Sequence, residues 1–297
     1  MHSAYYHPSG QVPARGVYLV LLVAVASIPL ARLYGWASFH ANVTLAGCVA
    51  IAMALILGLI GRHTATYARI RHPAWMRRAG VAIALFVWYI HWAAWLGYAG
   101  HDGESWVYLA THPLSMLALA ARRLTDYSSS TASFVLSCWL TELGMLVLAC
   151  AMAAAARARQ PFCETTGQWA EKVNVEVRFA SIADPEAVRR SLEHDPLQLA
   201  AVLVPCASGT REFAELALYR CRGGDSFITL TNYVEAAPGS EARRQAADTL
   251  SMRPEKLEVV FQSDEPVVEL LRLPIPDTDP LLRKWEEDAL VLEACAI

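Results

Sequence analysis

The order of apolar and polar positions divides the chain into two halves. In the first, four runs are apolar on every side: residues 16–36 ("GVYLVLLVAVASIPLARLYGW"), 43–61 ("VTLAGCVAIAMALILGLIG"), 79–100 ("AGVAIALFVWYIHWAAWLGYAG") and 132–156 ("ASFVLSCWLTELGMLVLACAMAAAA"). Each has the length of about 20 residues that crosses a hydrocarbon core as a helix. Four such runs within 156 residues are too many for buried helices of a soluble core. The first is followed by three more, so it reads as a retained span rather than a signal peptide. Residues 105–124 are less apolar, carry His112–Pro113 and end in Arg122 and Arg123. They predict a short interfacial helix, not a fifth span.

The second half changes period. Residues 173–180 alternate as a strand does, and 211–221 and 226–235 predict a hairpin around "RGGD". Residues 257–262 and 266–275 predict two further strands, while 196–205 fits a short helix or a buried strand equally well. "DPEAVRRSLEHD" opens with Asp184 as N-cap and Pro185 in the first turn. Residues 241–250 and 279–294 also predict helices. The expected fold is a membrane all-α four-helix bundle over residues 1–156, followed by a soluble α+β domain with a mostly antiparallel sheet over 157–297.

Charge gives these halves an orientation. Up to Ala156 there are nine arginines, no lysine and four acids, a net +5; the remainder carries net −8. Five arginines (Arg62, Arg69, Arg71, Arg77, Arg78) fall between the second and third spans, the strongest positive-inside signal in the chain. With that link inside, the N-terminus and the C-terminal domain are both expected to be cytoplasmic. The acidic domain argues against non-specific nucleic-acid binding, which needs phosphate-neutralising cations. The bilayer is the expected partner, with a homodimer and a cytoplasmic protein as further candidates.

Candidate chemistry is sparse. Glu142 is the one acid well inside a span, beside Thr141, and His91 is mid-span in the third run. An intramembrane ionisable group is a functional-site hypothesis by default. A Glu142–His91 contact across two helices would relay a proton or hold a cation; the structural alternative is one hydrogen bond within the bundle. Small residues such as Ala46, Ala50, Gly58 and Gly61 permit close helix contact.

Of seven cysteines, Cys48, Cys138 and Cys150 are in spans, and Cys163, Cys206, Cys221 and Cys295 fall in the expected reducing compartment. "PFCETTGQW" and "YRCRGGDSF" each hold one half of a C-x-x-C knuckle, with Thr166 and Gly224 where the second cysteine would be. Two complete knuckles make a tetrahedral zinc site. Here Cys163 and Cys221 remain, and Cys206 and His194 are the only further candidates for a metal; no cofactor is expected. The stretches "RQPFCETTGQW" and "YRCRGGDSFITLT" resemble those of uncharacterised bacterial multi-pass inner-membrane proteins with a C-terminal cytoplasmic zinc-ribbon-like module. The resemblance implies a bacterial inner-membrane location and a ribbon-like packing; the substitutions at Thr166 and Gly224 oppose an inherited metal site.

No Walker loop, dinucleotide-binding glycine pattern, H-E-x-x-H or G-x-S-x-G is present. The favoured expectation is a membrane-anchored interaction or assembly module without evident catalysis. The alternative is a small dimeric transporter or channel using Glu142 and His91.

Overall fold

The computed structural model describes residues 4–99, 105–164, 166–207, 210–221, 226–236, 260–262, 265–274 and 278–295. It divides into two compact units: Pro8–Gln160, and Pro161–Ile297 together with Met1–His7.

Four helical spans in the first unit are long and apolar enough to cross a membrane: Ala14–His40, Val43–Ala68, Pro73–Ala99 and Ser129–Arg159. The chain is therefore a multi-pass membrane protein. The first span is two segments, α1 (Ala14–Ala26) and α2 (Ile28–His40), meeting at Ser27. Pro29, in the first turn of α2, has no amide hydrogen to donate, and Ser27 Oγ bonds the Ala24 carbonyl at 2.6 Å. The next two spans are α3 (Val43–Ala68) and α4 (Pro73–Ala99). Asn42 caps α3 by accepting from the Leu45 amide at 2.9 Å, and Arg69, at φ 51°, ends it. Both helices run several residues beyond their apolar stretches into the arginine-rich link. Helical hydrogen bonds need no apolar side chains, so the ladder continues where the arginines reach water or headgroups.

The expected interfacial helix over 105–124 is two helices, α5 (Trp106–Thr111) and α6 (Pro113–Thr125). Pro113 cannot continue a helix begun before it, so it starts a new one. Tyr89 Oη donates to the Leu109 and Ala110 carbonyls at 3.2 and 3.0 Å, holding α5 against α4.

The last span, α7 (Ser129–Arg159), packs mainly against α3 and α4, and α2 packs on α4. Glycine makes these approaches close. A Cβ on Gly61 would lie 2.6 Å from the Cys150 carbonyl oxygen, and one on Gly80 2.7 Å from the Ala151 Cα. Without water to drive helices together, such backbone approach supplies the packing contact.

In the second unit, β1 (Phe162–Cys163) and β2 (Gln168–Trp169) form a small hairpin. Among the described residues the main sheet has six strands, all antiparallel: β3 (Glu171–Asn174), β4 (Phe179–Ala180), β5 (Glu212–Arg220), β6 (Ser226–Glu235), β7 (Val260–Gln262) and β8 (Val268–Leu273). β5 and β6 are central; β3 and β4 share the outer edge of β5, and β7 and β8 that of β6. The strand expected over 173–180 is thus two short ones. Residues 178–180 also pair with the 204–206 segment, through Ala180 N to the Val204 carbonyl at 2.8 Å and Cys206 N to the Arg178 carbonyl at 3.0 Å. The ambiguous stretch 196–205 combines a 3-10 turn (Pro196–Gln198), the one-turn α9 (Leu199–Val202) and an extended end. The helix expected over 241–250 lies outside the described residues.

Helices α8 (Pro185–His194) and α10 (Asp279–Cys295) also belong to this unit. Asp184 caps α8 at the Ala187 amide, 2.9 Å. Leu192, Leu199 and Trp285 share one core with Phe179, Leu216, Leu218, Ile228, Leu230 and Leu271. Arg189 Nε bonds the Val267 carbonyl at 3.0 Å, and the Asn232 side chain clamps Ile182 by both backbone groups, 3.1 and 3.0 Å.

The N-terminal residues, which the hydropathy pattern grouped with the bundle, add to this sheet. Arg272 N donates to the Ala4 carbonyl at 2.8 Å and Tyr6 N to that of Leu270 at 2.9 Å, placing Tyr5 opposite Leu271. Tyr6 meets Phe227 edge-on at 5.2 Å. Tyr5 Oη donates to Glu193 at 2.5 Å; burial, then that carboxylate, pushes the phenol up to about 12. Three residues make too short a period to read as a strand, and their partner is more than 260 residues away.

Candidate functional site

Three helices bring one side chain each to a common point in the bundle. Glu142 is near the middle of α7, His91 on α4 and Tyr34 on α2. Tyr34 Oη donates to Glu142 Oε1 at 2.6 Å. His91 Nδ1 is 3.5 Å from the same oxygen. The Tyr34 and His91 rings stack, centroids 4.1 Å apart and planes inclined by 24°. The His91 side chain is 2% exposed and that of Glu142 15%.

Local sequence explains the convergence. Gly35 follows Tyr34, and a Cβ there would lie 2.8 Å from the His91 carbonyl oxygen and 3.0 Å from the Ala94 Cβ. The missing side chain lets α2 touch α4 and lays the Tyr34 ring over the imidazole. Trp92 adjoins His91 at 5.3 Å and Trp139 at 4.4 Å, walling the cluster with aromatic surface. Neither ring nitrogen of His91 has a hydrogen-bond partner among the described residues, nor do the buried indole nitrogens of Trp88 and Trp92.

Of the residues singled out by sequence, Glu142 and His91 are thus in reach of each other, whereas Thr141 is on an exposed face of α7. Consecutive helical residues point about 100° apart, so Thr141 cannot share the Glu142 direction. Tyr34 escaped the reading: a tyrosine in a span reads as interface decoration, and only the adjacent glycine hints at helix contact.

The knuckle positions form a different arrangement. The β1–β2 hairpin turns through Gly167, at φ 66°, whose amide bonds the Cys163 carbonyl at 2.8 Å. Cys163 and Cys221, both buried, belong to one apolar cluster with Ala170 and Phe227, against which Tyr6 and Tyr219 pack. Thr166 is exposed; Gly224 lies outside the described residues. Cys206 lines a separate cleft of about 450 Å³ with Glu176, Arg178 and Glu286, and His194 is exposed at the end of α8. Among the described residues no three or more of His, Cys, Asp and Glu gather as a metal site would require. What stands is a C-terminal soluble domain with a cysteine-containing cluster.

Compared with models of protein families, with curated proteins and with solved structures, the chain matches none.

Proposed function

We propose that the protein is a membrane-anchored assembly module whose α+β domain binds another protein. The observation that carries this reading is the strand addition at β8: the sheet edge takes up the extended residues Ala4–Tyr6 through backbone bonds at 2.8 and 2.9 Å. Edge pairing of this kind is a recurring mode of peptide recognition, with backbone bonds for affinity and alternate side chains for selectivity. Here Tyr5 and Tyr6 supply those side chains, reaching Glu193 and Phe227. Four spans return the chain to its starting side, which agrees with the two ends meeting in one unit. The arginine-rich link favours the cytoplasmic face of the membrane for that unit.

A photo-crosslinking residue at Arg272, introduced in living cells, tests the proposal. The expected result is one discrete protein adduct, stronger when residues 2–7 are deleted and the edge is open. Adducts only within the chain or to lipid would count against it.

A second reading, a small dimeric transporter or channel, is favoured by the Glu142–His91 approach at 3.5 Å. Its test is flux into liposomes: an ion gradient dissipated by the wild type and not by E142Q supports it, and equal flux through both sinks it.

A further inference from the structure

We propose that Tyr34, Glu142 and His91 form a proton-binding site, with one exchangeable proton shared between the Glu142 carboxyl and His91 Nδ1. The proposal goes beyond the assembly reading, because an anchor needs no such site and its partner binding would be unaffected by the proton.

Counting protons limits what the cluster can do. Tyr34 supplies one hydroxyl hydrogen to Glu142 Oε1 at 2.6 Å. The carboxyl and the imidazole then have room for one more. On Glu142 it leaves a neutral acid beside a neutral ring; on His91 it leaves an ion pair. Transfer breaks the carboxylic O–H bond and forms N–H at Nδ1, and the carboxylate left behind keeps the Tyr34 hydrogen bond. Both states are neutral overall, so neither leaves an isolated charge in hydrocarbon. The gap of 3.5 Å needs to close by roughly 0.5 Å for a normal hydrogen bond.

Among the described residues no other titratable group interacts with these three. From α2 comes Tyr34, from α4 His91. The buried side chains of α3 before Gly61 are Ala50, Met53, Ala54 and Leu57, and none titrates. On α6, Arg123 bonds the Ala99 carbonyl at 2.6 Å. The neighbouring indoles donate but do not accept. One carboxylate, the Tyr34 phenol and the Ser38 hydroxyl beside it are a poor cage for a metal cation, which takes about six oxygen ligands. The proton is the ligand that fits.

The test uses the full chain in lipid nanodiscs. Infrared difference spectra between about pH 5 and about pH 9 should show the carbonyl stretch of a protonated carboxylic acid, lost in E142Q. A hydrophobic carbodiimide, which reacts with protonated carboxyls inside membranes, should label the α7 peptide at Glu142 and label it less as pH rises. H91N should move the midpoint of both signals. Should E142Q fail to fold, H91N and Y34F still report through the same band and label. Absence of band and label at every pH overturns the site. A band whose midpoint is the same in H91N overturns the sharing with His91.

Discussion

The two halves of the molecule bury polar groups in opposite ways. In the bundle, Ser27 and Thr64 return their hydroxyls to their own helices, at the Ala24 and Ile60 carbonyls, 2.6 and 2.7 Å away. Close contact between helices is left to Gly35, Gly61 and Gly80. The Tyr34–Glu142 bond joins two side chains in mid-span, whereas Tyr89 and Arg123 cross to backbone carbonyls and Arg157 reaches Thr66 near the ends of α7 and α3. In the soluble domain, crossing bonds are routine: Asn232 fixes the loop before α8, Arg189 ties α8 to the segment entering β8, and Arg220 meets Asp279 at the start of α10, 2.5 Å. A mid-span bond between two side chains is therefore the informative kind of polar contact in the bundle, whereas in the domain such contacts mostly assemble the fold.

Substitutions that act on one half alone break or sharpen this contrast. The largest effect is expected in the domain. Trp285, 1% exposed, fills the core between α10 and the sheet and meets Phe179 edge-on at 5.2 Å. Trp285→Ala should cost about 3–5 kcal/mol. Hydrogen exchange should rise across β4, β5 and β8 while α3, α4 and α7 keep their protection. Loss of protection in both halves together would mean that they do not unfold separately. Next comes a backbone contact in the bundle. Gly80→Val places atoms where the Ala151 Cα stands, 2.7 Å from the new Cβ. Overpacking of this kind costs about 1–3 kcal/mol. It should lower the unfolding temperature in detergent and leave exchange in the sheet unchanged.

How far the sequence disclosed this contrast follows from the range of each interaction. The four spans were legible because membrane burial is written into every residue of a run. Their ends were not: α3 runs on to Ala68 and α4 starts at Pro73, because helix propagation depends on the backbone rather than on hydropathy. Glu142 and His91 stood out as ionisable groups in apolar runs, yet their approach depends on Gly35 in a third helix. In the domain, Asp184 and the 212–220/226–235 hairpin were visible in local pattern. The break between β3 and β4 was not, since it follows from pairing with residues 204–206. The pairing of Ala4–Tyr6 with β8 leaves no local trace at either end.

A smaller effect separates structure from function in the bundle. Tyr34→Phe removes the 2.6 Å bond to Glu142 while keeping the ring on His91. Hydrogen bonds between membrane helices average about 0.6 kcal/mol, and about 1.7 at most, so the unfolding temperature should fall only slightly. A loss as large as that of Gly80→Val would make the contact primarily structural.

The smallest effect belongs to the domain and depends on pH. Tyr5 has its phenol pushed up to about 12 from 10.0, by burial first and by the Glu193 carboxylate next. A protonated form favoured by the fold stabilises the docked arm fully below the unfolded value and loses that contribution as pH rises through the folded one. The arm should therefore begin to loosen near pH 10.0 and have lost the Tyr5 contribution by about pH 12. The side chain is half-buried at the surface, so the change should stay below about 1 kcal/mol. Exchange at the amide of Tyr6 and at that of Arg272, measured across this range, reads it directly. Tyr5→Phe, which has no ionisable hydroxyl, should remove the pH step. If the step persists in that variant, another group governs the arm.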